Sequence, residues 1–381
     1  MRTCGSVKHV SAPSDPIAAV THADPYPYYA ELVAERPFQR HAGLGLWVAA
    51  GAPAVTAVLV SDLARVRPLA EPVPRPLLGS PAGEIFRHLV RMNDGAVHTR
   101  LKPGVSARLA MLDPVRISEQ AGTWAHHLAA ELDPGRHGDR VADFAFRMPV
   151  YTVAALLGVT PEALGPVAAW VGDFVRCLAP APTPEQLERG AAAAGELIRL
   201  FCALMRRDEL DAPVANTIGY LSQAYEATAG LIGNTLVALG RHPELRARVG
   251  AEPSLLRAVV REVVRYDAPV QNTRRFLAGD GVIAGQAVRE GDAVLVVLAA
   301  ANRDPSVNPH PDRLDPQRHD RQAYTFGVGV HACPGEALAT AIAGAGVAHL
   351  LATGVQPERL VERVSYRPSV NTRIPLFGAT A

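Results

Sequence analysis

Cysteine is scarce in this chain of 381 residues: there are four, Cys4, Cys177, Cys202 and Cys333, widely spaced and with no Cys-x-x-Cys pair. That spacing excludes a disulfide framework and suits a reducing compartment. Lysine is scarcer still, at Lys8 and Lys102 only, so nearly all the basic charge is arginine. No run of about 18 apolar residues occurs, so no membrane span is expected. Met1 to Pro16 is polar and lacks an apolar core of signal-peptide length. The formal net charge of +1 removes the electrostatic case for a nucleic-acid partner or an acidic tail. No 20–50-residue repeat and no linker between two cores is visible. What remains is a soluble, cytoplasmic protein read as one domain over residues 1–381, with 1–23 as a flexible N-terminus.

What is present begins with a core: 48% of residues are hydrophobic and 20% are charged, ordinary for a globular protein. Strand-like segments Phe38–His41 and Leu46–Ala49 flank a turn at Gly43 and Gly45. Five prolines between Pro68 and Pro81 exclude a continuous helix there, and the segment reads as a loop covering a site. Helical patterns cover 90–110, 117–132, 141–157, 161–178, 184–208 and 214–240, then Ser254–Tyr266 and Glu336–Ala352. Thr273–Leu277, Val282–Ile283 and Ala293–Leu298 read as strands, and 308–321 as coil. The chain is mainly α with a small β portion.

The densest chemistry lies in Thr325-Phe326-Gly327-Val328-Gly329-Val330-His331-Ala332-Cys333-Pro334-Gly335. Its glycines permit backbone angles that other residues resist and leave room for a flat ligand. Cys333, just before an alanine-rich helix, lies near backbone N–H groups and a positive dipole end, which favours thiolate. Such a thiolate is a metal ligand or a nucleophile. A lone cysteine is otherwise a small buried hydrophobe, but here six specified positions fall within ten residues.

This run, Phe-Gly-x-Gly-x-His-x-Cys-x-Gly, resembles the heme-binding loop of the cytochrome P450 family. The resemblance implies that Cys333 is the axial iron ligand, a sulfur that pushes electron density to the iron to favour O–O cleavage. It implies heme b (iron protoporphyrin IX) as cofactor, with Phe326, Gly327 and Gly335 among its loop contacts. Glu262-Val263-Val264-Arg265, about 70 residues earlier, looks like the family's buried Glu-x-x-Arg pair, with Arg318 as the further arginine. Taken alone the pair is equally a surface ion pair. The run His98-Thr99-Arg100-Leu101-Lys102 looks like the family's His-x-x-x-Arg helix, which implies His98 and Lys102 as propionate partners. Lysine at 102 keeps the charge but not the bidentate fork. Arg275 and His331 match two further propionate contacts.

The stretch Gln223-Ala224-Tyr225-Glu226-Ala227-Thr228 resembles the family's oxygen-activating helix, usually Ala-Gly-x-Asp/Glu-Thr-Thr. Glu226 stands at the acid, Ala227 at the first threonine and Thr228 at the second. Glu226 is the only acid in the apolar run Leu221–Leu239, so it is expected to be unpaired and to titrate upward. Without a hydroxyl at 227, three readings are open. A substrate group or water takes over the hydrogen bond; the enzyme runs oxidative coupling, cross-linking or peroxide-driven oxidation; or the fold survives as a non-catalytic heme or ligand-binding protein. Gln223, Gln271, Asn272, Thr273 and Asn371 are expected to line a polar substrate pocket. The resemblance thus implies a heme-thiolate monooxygenase hydroxylating a small specialised metabolite, with O2 and electrons from a ferredoxin-type partner. Arg100, Arg108 and Arg321 are candidate contacts for that acidic partner.

Overall fold

Polar caps and first-turn prolines start the long helices. Asp211 accepts the Val214 N–H at 2.9 Å and Pro213 follows it, which starts a 30-residue helix. Thr183 and Gln186 form a capping box at the start of another. The structure, a computed structural model, describes residues 11–378. Its helices are α1 (Tyr26–Glu35), α2 (Ala52–Leu59), α3 (Pro81–His88), α4 (Gly95–Ala110), α5 (Pro114–Leu132), α6 (Val141–Leu156) and α7 (Pro161–Cys177). They continue with α8 (Pro184–Met205), α9 (Ala212–Arg241), α10 (Pro243–Ala251), α11 (Leu255–Tyr266), α12 (Leu298–Asn302), α13 (Glu336–Ala352) and α14 (Pro357–Val361). The strands are β1 (Phe38–His41), β2 (Leu46–Ala49), β3 (Ala64–Arg65), β4 (Thr273–Leu277), β5 (Gly281–Ile283), β6 (Gln286–Val288), β7 (Ala293–Val296), β8 (Val364–Tyr366) and β9 (Pro375–Phe377).

The fold is mainly helical with a small β portion, as the sequence implies. Helix α9 runs through the principal core, packed by α6, α13, α14, α8, α11, α3 and α7. Small residues let other chain segments lie directly on it. A Cβ at Gly230 would stand 2.9 Å from the Arg373 carbonyl, and one at Gly233 2.8 Å from Pro375 Cδ. A second cluster joins one face of a five-stranded sheet, ordered β1-β2-β7-β4-β3, to α2. Within that sheet β2 and β7 run parallel, with Val48 opposite Leu295, while the other pairs are antiparallel. The 325–335 loop enters from the sheet side and ends at α13, which packs on α9. That places Cys333 where the two cores meet.

Several boundaries differ from those expected. The pattern over 90–110 divides into a single turn, Val90–Met92, and α4, because Asn93 turns its side chain onto the Leu89 carbonyl at 2.7 Å. The apolar run from Ala293 stops being strand at Val296 and becomes α12, whose alanines suit a helix. Residues 11–23 do not behave as a free N-terminus. Ala19 and Val20 are buried, and Arg373 donates to the carbonyls of Val20, His22 and Ala23 at 3.1, 2.6 and 3.2 Å. The first ten residues of that expected tail, Cys4 included, lie outside the described residues.

Candidate active site

The Cys333 loop is shaped by its own backbone. Gly327 N–H donates to the Tyr324 carbonyl at 2.7 Å, Ala332 to Gly329 at 3.0 Å, and Cys333 to Phe326 at 2.8 Å. Gly327 and Gly329 adopt φ of 69° and 73°, the left-handed region that a side chain resists. A Cβ on Gly329 would also come within 3.3 Å of Val60 Cγ1. The Gly335 N–H points at the Cys333 sulfur, 3.3 Å away. Burial raises the thiol above its ordinary value, against which the Gly335 N–H and the Lys102 ammonium favour the thiolate. A cation at Cys333 would complete that bias, since a coordinated thiol is deprotonated. Cys333 remains accessible although protein surrounds it on most sides, as an open ligand position requires.

Beside the loop, α4 brings up basic groups. His98 is buried, its ring centroid is 4.3 Å from that of His331, and its Nε2 has no hydrogen-bond partner among the described residues. His331 Nε2 lies 2.9 Å from Asp94 Oδ1, while Asp94 Oδ2 accepts the Val66 N–H at 3.0 Å. Arg275 is buried on β4 and, among the described residues, finds only the Arg274 carbonyl at 2.8 Å and Thr273 Oγ1 at 3.3 Å; burial lowers its pKa, with the field of Asp94 opposing. Lys102 donates to the Ala332 carbonyl at 2.7 Å, directly beside Cys333. Four basic groups therefore share one carboxylate, and His98 keeps an orphaned ring nitrogen. This set fits a flat, iron-bearing ligand with two carboxylates: a sulfur on one face, hydrogen-bonding bases at the rim, and glycine backbone allowing close approach.

A buried ionic knot holds the coil that leads to the loop. Glu262 and Arg265 have no exposed surface, and Arg265 donates to Glu262 Oε1 at 2.6 and 3.0 Å. Its remaining donors reach the carbonyls of Asn302, Pro311 and Arg313 at 3.3, 2.8 and 3.0 Å. Arg318 meets Glu262 Oε1 at 3.3 Å, and Arg321 meets Oε2 at 2.9 Å. Arg321 is thus a third arginine in the knot, with 13% of its side chain exposed, and not the partner-facing residue expected. Asn302, which the sequence reading did not single out, and Thr325 at the start of the loop finish the anchoring. Asn302 Nδ2 donates to Thr325 Oγ1 at 2.8 Å and its Oδ1 accepts the Tyr324 N–H at 2.6 Å, while Thr325 Oγ1 donates to the Val264 carbonyl at 2.6 Å.

On α9 the expectation for Glu226 fails. Arg367, after β8, donates to Glu226 Oε1 at 2.6 Å, so the carboxylate is paired and is not the lone acid expected. The Arg367 guanidinium also sits 5.2 Å over the Phe146 ring. Ala227 is half-buried and Thr228 buried on the same helix. Two of the amides expected in a polar pocket are engaged elsewhere. Gln271 is fully buried, accepting from Tyr29 Oη at 2.9 Å and donating to the Ala268 carbonyl at 2.6 Å. Buried Asn272 donates to the Val370 carbonyl at 2.8 Å. Both amides lock chain segments together. Gln223, by contrast, is exposed, with its amide on its own Gly219 carbonyl at 2.8 Å.

Comparison with known proteins agrees with this geometry. A sequence model of the family described as Cytochrome P450 matches residues 210–353. The chain is 31% identical to the 6-deoxyerythronolide B hydroxylase of Saccharopolyspora erythraea, over 84% of this chain and 85% of that one. It is also 31% identical to the cytochrome P450 monooxygenase PikC of Streptomyces venezuelae, over 89% and 87% of the two chains. Among solved structures it resembles P450BioI in complex with hexadec-9Z-enoic acid ligated acyl carrier protein. The TM-score there is 0.79 at 25% identity, covering 93% of this chain and 98% of that one.

Proposed function

The chain belongs to the cytochrome P450 family and is a heme-iron monooxygenase, and on that premise we propose that it hydroxylates a small specialised-metabolite substrate with O2 and electrons from a ferredoxin-type partner. The cofactor in this reading is heme b. When bound through a thiolate, heme iron supplies the oxidising centre that places one oxygen atom of O2 in the substrate. The observation that carries the reading is the sulfur of Cys333, accepting the Gly335 N–H at 3.3 Å in a loop beside the orphaned His98 Nε2.

In this reading the roles divide by position. Cys333 would hold the iron through its sulfur, and Lys102 steadies its loop through the Ala332 carbonyl. Phe326 and Gly327 fix the turn, and Gly335 turns its N–H to the sulfur. His98, His331 and Arg275 receive the two propionates; the buried position of His98 makes its free nitrogen costly unless a ligand answers it. Lys102 adds charge to the same rim. Glu226 holds a proton-exchanging carboxylate on α9, and Arg367 fixes its orientation. Ala227 offers no hydroxyl, so an ordered water or a hydroxyl of the substrate completes the relay, with Thr228 buried behind it. Arg100, exposed on α4, and Arg108 further along the helix suit an acidic electron donor.

The methyl group at Ala227 supports a second reading, oxidative coupling or peroxide-driven oxidation. One experiment separates the two. Hydroxyl-bearing polyketide lactones are screened by the ferric spin-state shift, and those that bind are turned over with ferredoxin and its reductase under isotopically labelled dioxygen. Hydroxylation predicts one labelled oxygen per product and dependence on the ferredoxin. Coupled products without label, or equal turnover with peroxide alone, would favour the second reading.

A further inference from the structure

The link between α3 and α4 carries a guanidinium that nothing among the described residues answers. Arg91 lies in the turn Val90–Met92; its Nε is buried without a hydrogen-bond partner, and its head makes no ion pair among the described residues. The neighbouring acids are committed elsewhere. Asp94 is held by His331 and the Val66 N–H at 2.9 and 3.0 Å, Glu84 pairs with Arg87 at 3.2 Å, and Glu71 accepts the Arg75 N–H at 3.1 Å. Burial alone pushes the Arg91 guanidinium down to about 10, while the residue as a whole keeps part of its surface exposed. An enclosed cation without a counter-charge is costly, which points to an anion supplied from outside the chain.

The link has fixed ends. Asn216 of α9 accepts the Val90 N–H at 2.9 Å and donates to the His88 carbonyl at 2.8 Å. Leu89 Cδ2 and Gln223 Nε2 both lie against Gly219, 2.8 and 3.2 Å from where its Cβ would be. Three residues past Arg91, Asp94 reaches His331 in the Cys333 loop. Arg91 is therefore carried midway between α9 and that loop. His98, His331 and Arg275 already offer three basic groups to two propionates, so Arg91 is in excess of what the cofactor needs.

We propose that Arg91 is a specificity-determining residue that binds the carboxylate of an anionic substrate held between α9 and the Cys333 loop. This rests on the reading that heme lies at Cys333. The test uses the heme-loaded protein and imidazoles carrying carboxylate-ended alkyl arms of increasing length, each paired with its methyl ester. The imidazole anchors the probe at the iron and reports binding by a spectral shift, independent of turnover. At the best arm length the wild type should bind acid over ester by at least about tenfold, the worth of a charge-assisted hydrogen bond. Arg91→Gln should abolish the preference, and Arg91→Lys should retain part of it. Equal binding of acid and ester by the wild type at every length would overturn the proposal, as would a preference that survives Arg91→Gln. So would Arg91→Gln losing heme with its acid-to-ester ratio unchanged, because the anion would then be a propionate. No shift with unsubstituted imidazole would instead overturn the heme reading itself.

Discussion

At the scale of single residues, the side of α9 near Glu226 departs from the family pattern that it resembles. Glu226 meets Arg367 at 2.6 Å, and the neighbouring position is Ala227. If Glu226 carries protons, Glu226→Gln should slow turnover by about 10²-fold with substrate affinity unchanged. Steady-state rates beside spin-state titrations check this, and full retained turnover would remove Glu226 from the relay. If a substrate hydroxyl stands in for the missing threonine, Ala227→Thr should oxidise a deoxy analogue that the wild type binds but barely converts. Identical, slow conversion by both proteins would contradict that. Asp94 offers a pH test. Burial opposes its charge, yet the His331 contact and the Val66 N–H hold its carboxyl below the ordinary value. A depressed folded pKa gives stability that is present above the unfolded value, about 3.9, and is lost as pH falls through the folded one. The stability gap between wild type and Asp94→Asn, read from denaturant midpoints, should therefore narrow on acidification below that value. A gap that does not change with pH would contradict it.

At the scale of elements, the knot around Glu262 fixes the coil between α12 and the Cys333 loop. Arg265→Ala removes two bonds to Glu262 and three to carbonyls, with both partners fully buried. The expected loss is roughly 3 kcal/mol or more, with low heme content in the purified protein. Denaturation midpoints and heme-to-protein ratios check it, and near-normal values for both would show that Arg318 and Arg321 suffice. In α9, Gly233→Ala should cost about 1–3 kcal/mol, because its new methyl group meets Pro375 Cδ at 2.8 Å. Elements with a clean local signal were legible: β1 and β2 lie on the strand-like residues expected either side of the glycine turn, and α13 on its alanine-rich stretch. Where local signals competed they were not. Strand and helix readings of 293–302 differ only through a run of alanines, and the break before α4 depends on one Asn93 hydrogen bond.

At the scale of the whole molecule, what was legible in the candidate site followed chain distance. The Cys333 loop carries its information within ten residues, so its turns and cysteine could be read directly. His98 and His331 are 233 positions apart; their shared role came from resemblance, and their 4.3 Å ring contact is visible only in the fold. Glu226 was misjudged because its partner, Arg367, arrives from 141 residues away on an unpredicted hairpin. Gln271 and Asn272 were misjudged for the opposite reason: amides in a loop suggest a ligand, but these two close onto backbone carbonyls. Arg321 looked available until Glu262 was seen to need a third cation. Each error is a partner that tertiary contact supplies and local sequence does not.

All of these roles depend on the sulfur of Cys333 holding the iron. The most direct test is the absorption spectrum of the reduced, carbon monoxide-bound protein, recorded beside Cys333→Ser. The wild type should show the Soret band diagnostic of thiolate ligation, and the variant should lose it while staying folded by circular dichroism. A wild-type band at the position of a histidine-ligated or unligated heme, or one unchanged by the substitution, would contradict the account.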